Sequence, residues 1–265
     1  MNDDDGAGRR LKVNGASIYY EDRGEGPAII LVHGGLGAGS EWEPVVSLLV
    51  GEFRVITPDS RGHGRSTNPA GELSYGRIAD DIAALITALG LQRPMVGGWS
   101  DGGQITMELA ARQPALAGAL IVGAAYPDFN AGGLREAHRA LLGADDDGVP
   151  DLAYLDAELG EWADQVKAQH VGDGRHWQTL IEQTAKMWLG YEGLDQGELQ
   201  AIQTPALVLA GDRDELIPLE LSVRLYQMLP HAELAVVPGL GHEGPTPARA
   251  AFLADVIRDF CHRRL

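Results

Sequence analysis

Met95-Val96-Gly97-Gly98-Trp99-Ser100-Asp101-Gly102-Gly103-Gln104 is the stretch on which the reading of this chain turns. Residues 98–102 match G-x-S-x-G, the pattern of a serine set on a sharp strand-to-helix turn. An apolar strand over 94–98 enters the turn, and a helix over 102–112, stopped by Pro114, leaves it. Gly98 and Gly102 keep side chains out of a place where strand and helix nearly touch. The Ser100 hydroxyl then stands clear of the sheet edge at a helix N-terminus, where the dipole and free N–H groups favour developing negative charge. In a chain with 35 glycines the pattern alone is weak, and its strand-and-helix context gives it meaning.

Outward from this turn, apolar runs and helical stripes alternate. Residues 28–32, Ala-Ile-Ile-Leu-Val, have no polar alternation, which suits a strand covered on both faces. Residues 53–57, 118–123, 205–210 and 233–237 read the same way. Residues 9–22 alternate apolar and polar about Asn14-Gly15, a hairpin signal. Ile78, Ile82, Leu85, Ile86 and Leu89 fall on one stripe of a helix over 74–89, with Ser74 as cap and Gly90 as stop. Further helices are expected near 219–228 and 247–263. The alternation predicts an α/β fold: a doubly wound, mostly parallel sheet of about eight strands. It breaks between 126 and 200, which reads as a helical cap inserted into a core formed by 1–125 and 201–265, with 1–8 as a disordered acidic tail. Asp145-Asp146-Asp147-Gly148 within the insertion lacks the spacing of a calcium loop and reads as a solvated turn, so no metal site is expected.

A serine hydroxyl needs a base, and the base a carboxylate to hold it. On a sheet of this kind the partners follow in the order Ser, acid, His. The strand over 205–210 runs into Gly211-Asp212-Arg213-Asp214-Glu215-Leu216-Ile217-Pro218, and the last strand into Pro238-Gly239-Leu240-Gly241-His242. His242 is therefore the expected base. His138, His170, His176, His231 and His262 lie in helices or turns away from that edge. His33 and His63 come too early in the chain and are expected to fix their glycine loops by hydrogen bonds. Asp212, Asp214 and Glu215 share the acid loop. Asp214, four residues before Pro218, is preferred, leaving Asp212 to support the turn or pair with Arg213. Two backbone N–H donors for a developing oxyanion are expected from Asp101 and from the loop His33-Gly34-Gly35-Leu36-Gly37, with Gly35 as donor and Leu36 as the alternative.

These blocks, together with Asp59-Ser60-Arg61-Gly62-His63-Gly64-Arg65-Ser66, recur in the order of the α/β-hydrolase superfamily, which the chain resembles from residue 16 to about residue 260. The family pattern places the acid at the second aspartate, supporting Asp214, and implies no metal or organic cofactor. Gly-Trp-Ser-Asp-Gly-Gly is similar to a biphenyl hydrolase-like branch and to small bacterial esterases and lactonases. The serine at position 100 argues against the aspartate nucleophile of dehalogenases and epoxide hydrolases. The resemblance implies a carboxylesterase working through an acyl-enzyme on small to medium esters, with a lactonase or C–C bond hydrolase as the alternative. A ligand receptor or lyase that keeps the triad is the reading from another class. The block from Arg61 to Ser66 is expected to be structural, a tight loop that shapes the pocket floor.

Composition agrees with a single enzyme-sized unit. Hydrophobic residues make up 45% of 265 residues, without an apolar run long enough to span a membrane, and the first ten residues do not form a secretory leader. The net charge of −17 repels nucleic acid and anionic membranes. Cys261 is the only cysteine, which excludes an intramolecular disulfide and suits a reducing cytoplasm. The expected partner is a small-molecule ester, and the expected state a monomer or small homo-oligomer. Leu36, Trp99, Trp162 and Trp188 are the candidate substrate contacts, with Trp177, Met187, Leu189 and Tyr191 as further cap residues. Asp101, an acid beside the nucleophile, reads either as a favourable first-turn acid of the helix or as a partner for a cationic substrate group, which would give a preference for amino-bearing esters.

Overall fold

The computed structural model describes residues 8–130, 133–172 and 174–265. Eight strands form one sheet: β1 (Gly8–Val13), β2 (Ala16–Arg23), β3 (Ala28–Val32), β4 (Arg54–Pro58), β5 (Met95–Trp99), β6 (Ala119–Gly123), β7 (Ala206–Gly211) and β8 (Ala232–Val237), in the order β1-β2-β4-β3-β5-β6-β7-β8. β1 pairs antiparallel with β2, and β2 with β4; every other neighbour is parallel. The hairpin closes at Asn14-Gly15, with Leu11 opposite Ile18 and both central residues at positive φ. Gly8 belongs to β1 rather than to a tail, because its pairing with Glu21 extends the hairpin; residues 1–7 of the expected acidic tail lie outside the described residues.

The apolar runs are explained by helices on both faces. Side chains alternate across a strand, so Ile30 and Val32 of β3, Leu120 and Val122 of β6, and Ala206 and Val208 of β7 join one core cluster. That cluster is built with α2 (Tyr75–Ala88) and α3 (Asp101–Arg112). Ile29 and Leu31, Ala119 and Ile121, and Leu207 and Leu209 join the other, built with α1 (Glu43–Leu49) and α9 (Ala250–His262). The expected cap of α2 is present, with the Ser74 hydroxyl accepting the N–H of Arg77. α1 has no counterpart in the sequence expectations: at seven residues it is too short to show a repeating stripe.

Between β6 and β7 stand α4 (Leu134–Leu141), α5 (Leu152–Ala168, interrupted at Gly160), α6 (Gly174–Gly190) and α7 (Gln196–Ala201). The Asp145 carboxylate closes the acidic turn on its own backbone, accepting the N–H groups of Asp147 and Val149. α8 (Leu219–Met228) joins β7 to β8. Among the described residues no helix is long and apolar enough to cross a membrane.

Candidate active site

β5 delivers the nucleophile. Ser100 sits between β5 and α3 at φ 55°, ψ −117°, a conformation an L residue adopts only when its surroundings impose it. Its N–H is bonded to the carbonyl of Gly123 on β6, and its carbonyl accepts Gln104 N–H in the first turn of α3. A Cβ on Gly98 would overlap the Gly102 backbone and one on Gly102 the Val32 carbonyl of β3, so the turn closes only with glycine at both positions.

The other two members arrive from the neighbouring strand ends. β7 and β8 pair through Gly211 and Val237, so their following loops leave the same edge. Those loops are then tied together: the Asp212 carboxylate accepts Gly239 N–H, and Arg213 N–H donates to Leu240 O. Asp212 thus supports the turn and also stands 3.8 Å from Arg213. Asp214 is directed inward, with Oδ1 accepting the N–H groups of Leu216 and Ile217 at 3.0 and 2.7 Å. His242 Nδ1 lies 2.9 Å from Asp214 Oδ2, and His242 Nε2 lies 2.9 Å from Ser100 Oγ. The indole N–H of Trp99 holds the His242 carbonyl at 3.0 Å, linking the nucleophile strand to the histidine loop.

Gly34 and Gly35, at the end of β3, border the same space. His33 braces their loop: its Nδ1 donates to Gly34 O at 2.7 Å while Nε2 accepts Ser60 N–H at 2.9 Å, which assigns the tautomer. Burial keeps this ring neutral, with its pKa pulled down to about 4. His63 likewise bonds Arg61 O, and Arg61 forms a buried bidentate pair with Asp81. The block from Arg61 to Ser66 is structural and does not itself line the cavity. Asp59, just ahead of the block, accepts the N–H groups of Gly39 and Arg65, the Ser66 hydroxyl donates to Asp59 O, and the block braces the loop from behind.

A cavity of about 460 Å³ opens on Ser100 and His242. Trp162 and Trp188, two of the expected contacts, line it, and so does the edge of Trp99, whose ring is otherwise 3% exposed. Leu36 does not: at φ 61° its side chain turns into the core cluster. Trp177 borders a separate cavity, and Tyr191 stacks on Tyr75. The lining also includes Glu41, His138, Leu141, Arg213, Glu215, Leu216 and Glu243, which the sequence expectations did not assign to substrate. Only the loop position of Glu215 and Leu216 signalled them in the chain.

Asp101, in the first turn of α3, does not present its carboxylate to the cavity. Its carboxylate is buried, with Oδ1 accepting from the Tyr75 hydroxyl at 2.7 Å and Oδ2 from the Trp188 indole N–H at 2.8 Å. It thereby links α3 to α2 and α6. Burial raises its pKa, against the lowering effect of those two donors.

The chain is 33% identical over 262 residues to a candidate carbamate hydrolase, RutD, of Caulobacter sp. (strain K31), covering 91% of this chain and 94% of that one. It is 26% identical over 274 residues to the bifunctional esterase/perhydrolase DCH of Acinetobacter calcoaceticus, covering 92% and 96%. Among solved structures, Est816, described as an N-acyl homoserine lactone degrading enzyme, superposes with a TM-score of 0.76 at 26% identity, over 95% of this chain and 100% of that one. The sequence profile of the alpha/beta hydrolase family matches residues 29–256, and the chain belongs to that family of hydrolases.

Proposed function

We propose that this protein is a serine hydrolase of small to medium carboxylic esters, acting through an acyl-enzyme. The observation that carries the reading is the unbroken relay from Asp214 Oδ2 to His242 Nδ1 and from His242 Nε2 to Ser100 Oγ, both at 2.9 Å, beside a cavity large enough for such a substrate. His242 takes the proton of Ser100 as the hydroxyl attacks the carbonyl carbon. Asp214 keeps its negative charge, orients the ring and stabilises the imidazolium. The backbone N–H groups of Gly35 and Asp101 receive the oxyanion, an effect worth about 3–4 kcal/mol for one donor. His242 then protonates the leaving alcohol, the acyl-enzyme forms, and water repeats the steps to release the acid and restore Ser100.

Trp162, Trp188, Leu141 and Leu216 give the cavity an apolar wall for an acyl or aryl group. A lactone is an ester closed on itself and asks for the same relay; the similarity to a lactone-degrading enzyme favours this second reading. We assign the protein to the cytoplasm on its single, buried cysteine.

The test is turnover of p-nitrophenyl esters of increasing acyl length by the native protein and by Ser100→Ala. The proposal expects turnover on short chains that vanishes in the variant. Turnover that survives the substitution overturns it. So does an absence of turnover on every ester and lactone offered, which would redirect attention to a C–C hydrolase, a lyase or a ligand receptor.

A further inference from the structure

Glu41 lies in the short 3-10 turn Gly39–Trp42 and lines the cavity above Ser100. Its Oε2 accepts the N–H of Gly34 at 2.9 Å, the only hydrogen bond of this carboxyl among the described residues. A methyl group placed on Gly34 would stand 3.6 Å from Glu41 Oε2 and 3.6 Å from Ser100 Cβ, so the carboxyl and the nucleophile flank the same residue. The absence of a side chain at Gly37 makes the room, since a Cβ there would overlap the Glu41 carboxyl group.

The direction of the Gly35 N–H depends on Gly34. The Gly34 carbonyl and the Gly35 N–H are opposite poles of one planar trans peptide. That carbonyl is held by His33 Nδ1 at 2.7 Å and by Gly37 N–H at 3.3 Å. The Gly34 N–H, on the other side of a residue with no backbone preference of its own, is held by Glu41. With both ends fixed, the Gly35 N–H has one direction. We propose that Glu41 is the positioning residue of the oxyanion loop, holding Gly34 so that the Gly35 N–H meets the charge that develops on the substrate oxygen.

The inference rests on the esterase reading and adds a pH dependence to it. Burial raises the Glu41 pKa to about 7, with Gly34 N–H opposing the shift and Asp101 adding to it. Protonated, Glu41 accepts Gly34 N–H through a neutral oxygen. Ionised, it sets a negative charge beside the forming oxyanion, where it opposes the reaction. The other titratable or charged groups around it are Asp101 on α3, the neutral His33, His138 on α4, whose pKa burial lowers, Arg213 and Glu215 after β7, and His242 and Glu243 after β8. Arg213, the one arginine among them, is largely exposed and stands 3.8 Å from Asp212, so it does not neutralise Glu41. Turnover therefore falls as pH rises through the titration of Glu41.

The experiment measures kcat and KM for p-nitrophenyl acetate by pH-stat between about pH 5.5 and 9, on the full chain and on Glu41→Ala and Glu41→Gln. At about pH 6, where Glu41 is protonated, Glu41→Ala removes only the acceptor and is expected to lower kcat roughly tenfold with KM changed less than about twofold, a fraction of what loss of a whole donor costs. Glu41→Gln keeps an acceptor and loses the titration. It is expected to restore most of the lost kcat and to lack the decline above about pH 7. An unchanged kcat in Glu41→Ala overturns the proposal, as does a Glu41→Gln that shows no rescue or keeps the native pH profile. If Glu41→Ala does not fold, the pH profile of Glu41→Gln decides alone. Turnover that does not require Ser100 overturns the esterase reading itself, whatever the Glu41 variants do.

Discussion

Replacing Asp214 with asparagine exchanges one oxygen for an NH2 group where only one of the two oxygens serves the backbone. Oδ1 accepts the N–H groups of Leu216 and Ile217 and lies 3.1 Å from His242 Nδ1, while Oδ2 is closer to that nitrogen at 2.9 Å. The amide oxygen of the variant must serve the two backbone donors, so the NH2 group takes the place of Oδ2 and faces Nδ1. That leaves Nδ1 as an acceptor and moves the ring proton to Nε2, against Ser100 Oγ, where a lone pair is required. Restoring the reactive tautomer points two donors at each other in a site where the aspartate side chain is 1% exposed. That costs about 1–3 kcal/mol, and loss of the charge-assisted bond to the imidazolium adds about 1.5–3 kcal/mol. Together the two amount to about 2.5–6 kcal/mol, or about 10²–10⁴ in kcat. Folding stability should change by less than about 1 kcal/mol, because the backbone bonds to Leu216 and Ile217 survive. Steady-state kinetics on a short p-nitrophenyl ester, with urea unfolding alongside, would measure both. Retention of more than a tenth of native kcat would refute the reasoning, and so would a larger loss in Asp212→Asn, whose amide can still accept Gly239 N–H.

Three other outcomes follow from the same geometry. His33 has its folded pKa lowered to about 4 from 6.5, so its contribution to stability is complete above pH 6.5 and is lost as pH falls toward 4. The destabilisation of a non-titrating His33→Asn variant should accordingly shrink by about 2 kcal/mol between pH 7.5 and pH 5 in urea unfolding; a constant difference would show that the ring is not buried neutral. Trp188→Phe removes the indole donor from the buried Asp101 carboxylate and should cost about 1–3 kcal/mol of unfolding free energy, whereas a loss under about 0.5 kcal/mol would mean that water replaces it. Trp162 is 45% exposed, so Trp162→Ala should leave stability within about 0.5 kcal/mol of native. The same change should lower kcat/KM for aryl or longer acyl esters about tenfold relative to acetate; an equal effect on all acyl lengths would remove Trp162 from the pocket wall.

Features that depend on chain neighbours were legible in the sequence. The unbroken apolar runs of β3, β5, β6 and β7 are what a strand needs when Ile30 and Ile29 must each find a different helical layer. Gly98 and Gly102 report a close approach that no side chain can share, and this located Ser100 before any contact was known. The order of Asp214 and His242 follows from the order of the strands that carry them. α1 was not legible, because a seven-residue helix has too few turns for a stripe.

The cavity wall was illegible for a different reason. Asp101, as a residue, advertises a charge for a substrate, yet its carboxylate is consumed by Tyr75, 26 positions earlier, and Trp188, 87 positions later. Nothing local distinguishes an acid with buried partners from one that faces a ligand. Glu41 presents the opposite case. No motif in the chain marks it, but folding closes its turn over Gly34 and brings the carboxyl to the cavity. His138 lines the same wall because its Nδ1 bonds Leu134 O within α4 and α4 packs against α6, a placement set by Trp188 at a ring separation of 5.1 Å. The relay of Ser100, His242 and Asp214 hangs on strand ends, whose positions the sheet dictates. The groups that would select a substrate hang on helices and turns packed across it, and their meaning resides in pairs of residues far apart in the chain.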